Sequence, residues 1–263
     1  MNNQLEKLRE TAPLVHSITN YVVMNNTANA LLAIGASPIM AHAQKEVADM
    51  VHIVHALVVN IGTLDEYWVE SMALASQRAL ELGKPWVLDP VGAGATPYRN
   101  ETLRHLIGFK PTVIRGNASE ILSLANVAVA SRGVDSANQS EEALEAGKQL
   151  ATQLGCVVCI SGATDYIMDA TRVASVGNGH EWMPKITGMG CTASVMVGAF
   201  LGVEKDPFEA TLAAMTVMGV AGELAAQEAA GPGSLQMHFY DALFSLTDKQ
   251  LVDMAKVTRN ATS

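Results

Sequence analysis

The sequence predicts an α/β protein with a doubly wound, mostly parallel central sheet and helices on both faces. Four near-continuous apolar runs of strand length are typical of strands buried on both faces of a parallel sheet. They are ALVVNIG (56–62), PWVLDPV (85–91), PTVIRGN (111–117) and CVVCISG (156–162). Helix-like stretches lie between or beside them at 63–83, 97–108, 117–128 and 140–155, and several end at glycine. This alternation favours three α/β/α layers.

Beyond residue 162 the pattern changes. YIMDATRVASVGN alternates in polarity around a polar break and predicts a β-hairpin, and HEWMPKITG predicts one further strand. From residue 190 onward the chain is expected to be nearly all helical, over 190–203, 206–229 and roughly 240–257. Because no long linker, repeat or low-complexity segment interrupts the chain, we expect residues 1–263 to form one domain.

Composition narrows the class of protein. The 263 residues are 49% hydrophobic and 16% charged, which favours a large core over disorder. The net charge is −9 without a basic cluster, so we expect neither nucleic acid nor a membrane as partner. The first residues do not resemble a signal peptide, and the three cysteines favour a reduced, cytoplasmic location. Cys156 and Cys159 lie within a predicted strand, so they are interpreted as core residues.

Polar, acidic and glycine residues follow the four predicted strands. The strand ends are NIGT, DPVGAG, RGNASE and SGATD. Because ligands bind at the carboxyl ends of strands in open parallel sheets, this composition predicts a binding site at one edge of the sheet.

Two of these strand ends have a structural and a functional interpretation. Asp89 either caps a turn before Pro90 or holds Mg²⁺, which takes one or two carboxylates and keeps several waters. Asn117 or Ser119 can cap the next helix, with Glu120 in its first turn. Alternatively, Glu120 orders the water around Mg²⁺, and a neighbouring arginine, Arg115, receives phosphate oxygens. VGAGAT lacks the third glycine of a dinucleotide-binding motif, so nicotinamide binding is disfavoured.

The segment KITGMGCTASVMVGAF (185–200) is the most specific signal. Gly188 and Gly190 permit close approach of the backbone to a ligand, and the helix that starts near Gly190 directs free N–H groups towards it. Such N–H groups stabilise a transferring phosphoryl group. The alternative is a tight turn into a buried helix. A helix N-terminus lowers the pKa of a thiol, so Cys191 is expected to be able to ionise at neutral pH.

These residues together resemble the ribokinase-like kinases, which have a glycine-rich anion hole (G-x-G-D) and an N-x-x-E motif. Here Asn117–Glu120 matches N-x-x-E, and GMGC matches the anion hole with Cys191 in place of aspartate. The cysteine, with HSITNYVV, GASPIM, LDPVGAG, IRGNASEI and AGPGS, is similar to the hydroxyethylthiazole kinase family of thiamine salvage. The similarity extends from about Pro13 to Leu246.

The resemblance implies an ATP- and Mg²⁺-dependent kinase that phosphorylates the primary alcohol of 4-methyl-5-(2-hydroxyethyl)thiazole. It implies a homotrimer with each active site between two subunits. By position, it assigns the site residues as follows: Met40, Asn20 and Gly188 to the thiazole; Arg115, Ser161 and Asn117 to ATP; Asp89 and Glu120 to the metal; and Gly188, Gly190 and Cys191 to the transfer step.

Two alternatives are open. One is a kinase of the same superfamily that acts on a hydroxymethylpyrimidine or on pyridoxal; Cys191 and Met40 count against it. The other is a thiazole- or nucleotide-binding protein without catalysis; Asp89, Glu120 and the two glycines count against it. If metal, helix dipole and positioning account for most of the catalysis, Cys191 is a modest proton acceptor or orients the alcohol.

Overall fold

The computed structural model describes residues 3–129 and 139–261. The strands are β1 Leu14–Ile18, β2 Ser37–Ile39, β3 Ala56–Asn60, β4 Trp86–Asp89, β5 Val113–Asn117, β6 Val157–Ser161, β7 Asp165–Met168, β8 Arg172–Val176 and β9 Val257–Ala261. The helices are α1 Gln4–Thr11, α2 Met24–Ile34, α3 Val47–Ile53, α4 Glu66–Leu82, α5 Pro97–Ile107, α6 Ala118–Val129, α7 Gln139–Leu154, α8 Met189–Leu201, α9 Pro207–Glu228, α10 Pro232–Ser245 and α11 Asp248–Met254.

The nine strands form one sheet in the order β2-β1-β3-β4-β5-β6-β7-β8-β9. Strands β1 to β6 pair in parallel, and β7, β8 and β9 extend the sheet in antiparallel pairs. The chain passes from β1 outward to β2 and then back to β3 on the other side of β1. The strand order therefore reverses at β1, which is where open α/β sheets form their binding crevice.

Alternate residues of the buried strands enter two separate cores. Val58 packs into the first core, whereas its neighbours Leu57 and Val59 pack into the second. Likewise, Cys159 lies in the first core and Cys156 in the second. Helices α1, α2, α8, α9 and α10 cover the first face, and α3 to α7 cover the second. The doubly wound, three-layer architecture is thus confirmed, and so is the interpretation of Cys156 and Cys159 as buried, free thiols.

Helix α8 lies against the middle of the sheet because it contains small residues. A Cβ on Gly198 would lie 2.5 Å from Cγ2 of Val58, so glycine permits the close packing of helix and strand. Ten of its residues are buried. Helix α9 is the only described helix that is long and apolar enough to cross a membrane. Of its most apolar segment, 83% is buried within the fold. It is therefore a core helix.

The predicted hairpin is present as β7 and β8, but two other predictions were wrong. HEWMPKITG adds no strand; its centre forms a 3₁₀ turn, Met183–Lys185, where Pro184 lacks the N–H that a strand would donate. The helix expected over 240–257 is divided, because Thr247 and Gln250 form a capping box that starts α11. Residues 257–261 then pair with β8 as β9.

Candidate active site

A chain of buried polar side chains links the carboxyl ends of β1, β3 and β4. Asn20 follows β1 and donates from Nδ2 to Oδ1 of Asn60 at 2.9 Å. Asn60 ends β3 and donates from Nδ2 to Oδ2 of Asp89, the last residue of β4, at 2.7 Å. Ser194 of α8 donates to the same oxygen at 2.8 Å. Asp89 has no exposed surface, and its second oxygen, Oδ1, has no hydrogen-bond partner.

Helix α8 begins directly at this chain of side chains. Gly188 is its N-cap in the left-handed conformation, with φ 84°, and a Cβ there would lie 2.6 Å from Cγ1 of Val23. The first intrahelical bond of the turn runs from the Thr192 amide to the Gly188 carbonyl at 2.8 Å. The N–H groups of the preceding residues therefore have no acceptor within the helix, as expected for an anion-binding N-terminus.

Cys191 lies in the first turn of α8 and is half-buried. Its Sγ lies 3.6 Å from Nδ2 of Asn20. Burial raises the pKa of this thiol to about 11, and the negative charge of Asp89 adds to the shift. The expectation that the helix N-terminus would allow Cys191 to ionise at neutral pH was therefore wrong. Burial and a buried carboxylate outweigh the helix dipole, whose effect on a charge is at most about 2 kcal/mol.

Arg115 lies on β5 beneath the same helix turn. Only 8% of its surface is exposed, and its guanidinium donates to the Ser161 hydroxyl at the end of β6. A Cβ on Gly190 would lie 2.7 Å from Nη1 of Arg115, so glycine permits this contact. A cavity of about 700 Å³ opens here. Its lining includes the polar residues Arg115, Asn117 and Ser161, the backbone at Gly190, and the apolar residues Met183, Met189, Met215 and Met218.

Glu120 lies between two loops of the site. Its Oε2 accepts from the Asn117 amide at 2.9 Å, and its Oε1 accepts from the Gly92 amide at 3.0 Å. In turn, Oδ1 of the Asn117 side chain accepts a hydrogen bond from the backbone N–H of Glu120 at 2.9 Å. The expected cap at Asn117 is present. It positions the Glu120 carboxylate near Asp89, and the negative charge of Glu120 helps to raise the pKa of Asp89.

This donor set fits magnesium better than a metal held wholly by protein ligands. Within residues 3–129 and 139–261, no group of three His, Cys, Asp or Glu side chains is arranged to hold a metal ion. Asp89 and Glu120 offer two carboxylates, and Oδ1 of Asp89 is buried without a partner. Because Mg²⁺ needs one or two carboxylates and keeps several waters, these two residues fit it.

Met40 lies apart from this group, directly after β2 at the outer edge of the sheet, and is half-buried. Three polar residues that the sequence did not single out also belong to the site. Asn60 and Ser194 both bond to Asp89, and Asp165 lines the large cavity, where burial raises its pKa to about 6. The quoted strand ends NIGT and SGATD contain Asn60 and Asp165, whereas nothing in the sequence distinguishes Ser194 within its apolar helix.

Comparison with known proteins places the chain in a family. Residues 5–249 match the hydroxyethylthiazole kinase family. The hydroxyethylthiazole kinase of Leptospira biflexa is 57% identical over 92% of this chain and 91% of its own. The structure of the hydroxyethylthiazole kinase protein from Pyrococcus horikoshii OT3 superposes with a TM-score of 0.92 at 42% identity, covering 98% of both chains. Pyridoxal kinase from Staphylococcus aureus in complex with AMP-PCP and pyridoxal shares only the fold, at 15% identity and a TM-score of 0.65, over 95% of this chain and 99% of its own. The ribokinase-like fold is thereby confirmed, and the chain belongs to the hydroxyethylthiazole kinase family.

Proposed function

We propose that this chain transfers a phosphoryl group from ATP to the primary alcohol of 4-methyl-5-(2-hydroxyethyl)thiazole, and so acts in thiamine salvage. Family membership over most of the chain supports the reaction. The observation that supports this site most directly is the start of α8, where the unpaired N–H groups adjoin both Asp89 and the cavity lined by Arg115. Kinase chemistry needs such a concentration of charge stabilisation and positioning.

The two sides of the α8 N-terminus suit two different substrates. Arg115 and Ser161 line the large cavity; the Arg115 guanidinium suits phosphates, and the methionines of the lining suit a flat base. Asn20 and Cys191 lie on the side that connects to β1. We therefore assign ATP to the cavity and the thiazole alcohol to the Asn20 side, with Met40 and Gly188 as further contacts.

Within this arrangement, the residues have separate roles. The N–H groups at the start of α8 and the Arg115 guanidinium stabilise the charge that develops on the transferring phosphoryl oxygens. Asp89 and Glu120 would hold magnesium, which neutralises phosphate charge when bound. The Cys191 thiol, protonated at neutral pH, orients the alcohol and is at most a weak proton acceptor.

Oligomerisation is the second component of the proposal. Tyr21 and Val22 directly follow Asn20, and 58% and 62% of their respective surfaces are exposed, which is unusual for large apolar side chains beside a binding site. The edge strand β2 that precedes Met40 is half-buried along its length. We propose that another copy of the chain covers this surface in a homotrimer and completes each thiazole site.

The experiment is a direct assay of the purified protein with ATP and Mg²⁺. We expect the thiazole alcohol to be converted to its monophosphate, detected by mass spectrometry, and pyridoxal and the hydroxymethylpyrimidine to react far more slowly. Omission of Mg²⁺ with EDTA present is the control for the metal. Protein that binds ATP and the thiazole alcohol but forms no phosphate ester would contradict the proposal.

A further inference from the structure

The side chain of Asn60 has one fixed orientation. Its Oδ1 accepts the Gly62 backbone N–H at 2.9 Å, and a backbone N–H can only donate. The same oxygen accepts from Nδ2 of Asn20 at 2.9 Å, and the Asn20 amide is itself fixed because its Oδ1 accepts the Val22 N–H at 3.1 Å. Both lone pairs of the Asn60 oxygen are therefore used, so its nitrogen must face the other side.

On that other side, the Asn60 nitrogen donates to Oδ2 of Asp89 at 2.7 Å. Asn20, which the Asn60 oxygen holds, also contacts the thiol of the site, with its Nδ2 3.6 Å from Sγ of Cys191. Asn60 is 2% exposed. Asn60 thus links the buried carboxylate, through Asn20, to the half-buried thiol.

We infer that Asn60 is a positioning residue for phosphoryl transfer, which holds the Asp89 carboxylate and the Cys191 thiol in a fixed relation at the start of α8. This inference rests on the proposed function. Asn60 and Ser194 together occupy Oδ2 of Asp89, which leaves Oδ1 as the oxygen without a protein partner. The Asn60 amide therefore determines which carboxylate oxygen is free and where the thiol lies relative to it.

Strand pairing does not require this side chain. Asn60 and Asp89 are register partners in the parallel pair of β3 and β4, and the backbone continues the pairing from the Ile61 amide to the Asp89 carbonyl at 3.3 Å. A purely structural residue at this position, pointing into a core, would be apolar, as Val59 is. A buried amide with hydrogen bonds to both Asn20 and Asp89 is instead typical of a support for reacting groups.

The kinetic test compares Asn60→Ala with Val59→Ala. Val59 is the preceding residue of β3, fully buried in the core, and its truncation destabilises the same strand without removing a polar contact. We expect Asn60→Ala to lower kcat by about 10–100-fold, as loss of a supporting hydrogen bond does, with KM for ATP within about twofold. Val59→Ala should lower the melting temperature by at least as much and leave kcat, measured well below melting, within about twofold.

A second readout is independent of activity. Asn60→Leu keeps the approximate size and branching of the side chain and removes its polar groups without adding a charge beside the buried Asp89, so it also serves if the alanine variant does not fold. Cys191 is the one cysteine of three that is not fully buried, so iodoacetamide labels it selectively in the native protein. We expect labelling of Cys191 at pH 8 to slow by about fivefold or more in Asn60→Leu, because Asn60 no longer holds the Asn20 amide beside Sγ, and that amide N–H stabilises the thiolate. Val59→Ala should label at the wild-type rate.

Two results would overturn the inference: kcat of Asn60→Ala within twofold of wild type, or a fall in kcat that Val59→Ala reproduces. Unchanged labelling of Asn60→Leu would also contradict it. If the wild-type protein forms no thiazole phosphate, the proposed function fails, and the labelling comparison still tests whether Asn60 positions the thiol.

Discussion

Asp89 has a stability cost that its proposed role in holding magnesium would explain. Burial raises the pKa of its carboxyl from 3.8 to about 6, against the opposing effect of the Arg115 charge. Because the folded-state pKa lies above the unfolded value, the folded state binds the proton more tightly, and the stability this contributes is lost as pH rises through about 6. At neutral pH the protein therefore keeps an ionised, buried carboxylate, which a bound magnesium ion would stabilise.

We predict that Asp89→Asn separates stability from activity. An asparagine oxygen can still accept from Asn60 and Ser194, whereas the charge is removed. In EDTA at pH 8 the variant should melt several degrees above wild type, since 1 kcal/mol corresponds to about 2–4 °C for a domain of this size. At pH 5 the difference should shrink, and phosphoryl transfer should be lost. Thermal melts at both pH values, together with the assay, measure this; a variant that melts below wild type at pH 8 would contradict it.

Cys191 provides a second test of the local electrostatics. With its pKa raised to about 11 by burial and Asp89, only a minor fraction is thiolate below pH 10. We predict that the rate of iodoacetamide labelling increases about tenfold per pH unit from pH 7 to 10, because the thiolate is the nucleophile. Mass spectrometry should find one adduct, since Cys156 and Cys159 are buried. A rate that levels off near pH 8 would mean that the helix dipole outweighs burial.

At the scale of elements, the contact of α8 with β5 determines how closely Arg115 approaches the anion site. We predict that Gly190→Ala displaces the Arg115 guanidinium, because the added Cβ would lie 2.7 Å from its Nη1. The expected result is a rise in KM for ATP and a fall in kcat/KM of about 10²-fold, comparable to the loss of one charge-stabilising donor.

The matched control is Gly233→Ala in the first turn of α10. A Cβ at Gly233 meets no atom within 4 Å, and alanine is favoured over glycine in a helix by up to about 1 kcal/mol. This control should be at least as stable as wild type and fully active. Equal kinetics for the two alanine variants would show that Arg115 does not depend on Gly190.

Burial patterns explain which elements the sequence could predict. Strands β3 to β6 are buried on both faces and give continuous apolar runs, and α8 is marked by its glycine-rich start. Strand β9 was not predicted because it is a short edge strand that pairs only with β8, far away in sequence. The acidity of Cys191 was mispredicted for the same kind of reason: the helix N-terminus is local, whereas Asp89 and the burial of the thiol arise from tertiary packing.

At the scale of the whole molecule, apolar side chains are exposed next to Asn20. Tyr21 and Val22 follow Asn20 in the loop between β1 and α2, and Leu32 on α2 is 59% exposed. Phe244 and Met237 on α10, which packs against α2, are also exposed. Exposed apolar side chains in this loop, on α2 and on α10 are the kind of surface that an interface covers, which supports the proposed homotrimer.

We predict that Val22→Asp disrupts the proposed homotrimer and lowers activity together. A carboxylate buried in an interface without a partner costs several kcal/mol, so the variant should sediment as a monomer and lose about 10-fold or more of its activity at micromolar concentration. Val252→Asp on α11 is the control: Val252 is similarly exposed, at 56%, but lies on an element that packs against α1 and α9 rather than beside Asn20. It should remain a trimer with wild-type kinetics. Wild-type protein that sediments as a fully active monomer would exclude a shared site, because Asn20 and Met40 would then suffice within one chain to bind the thiazole.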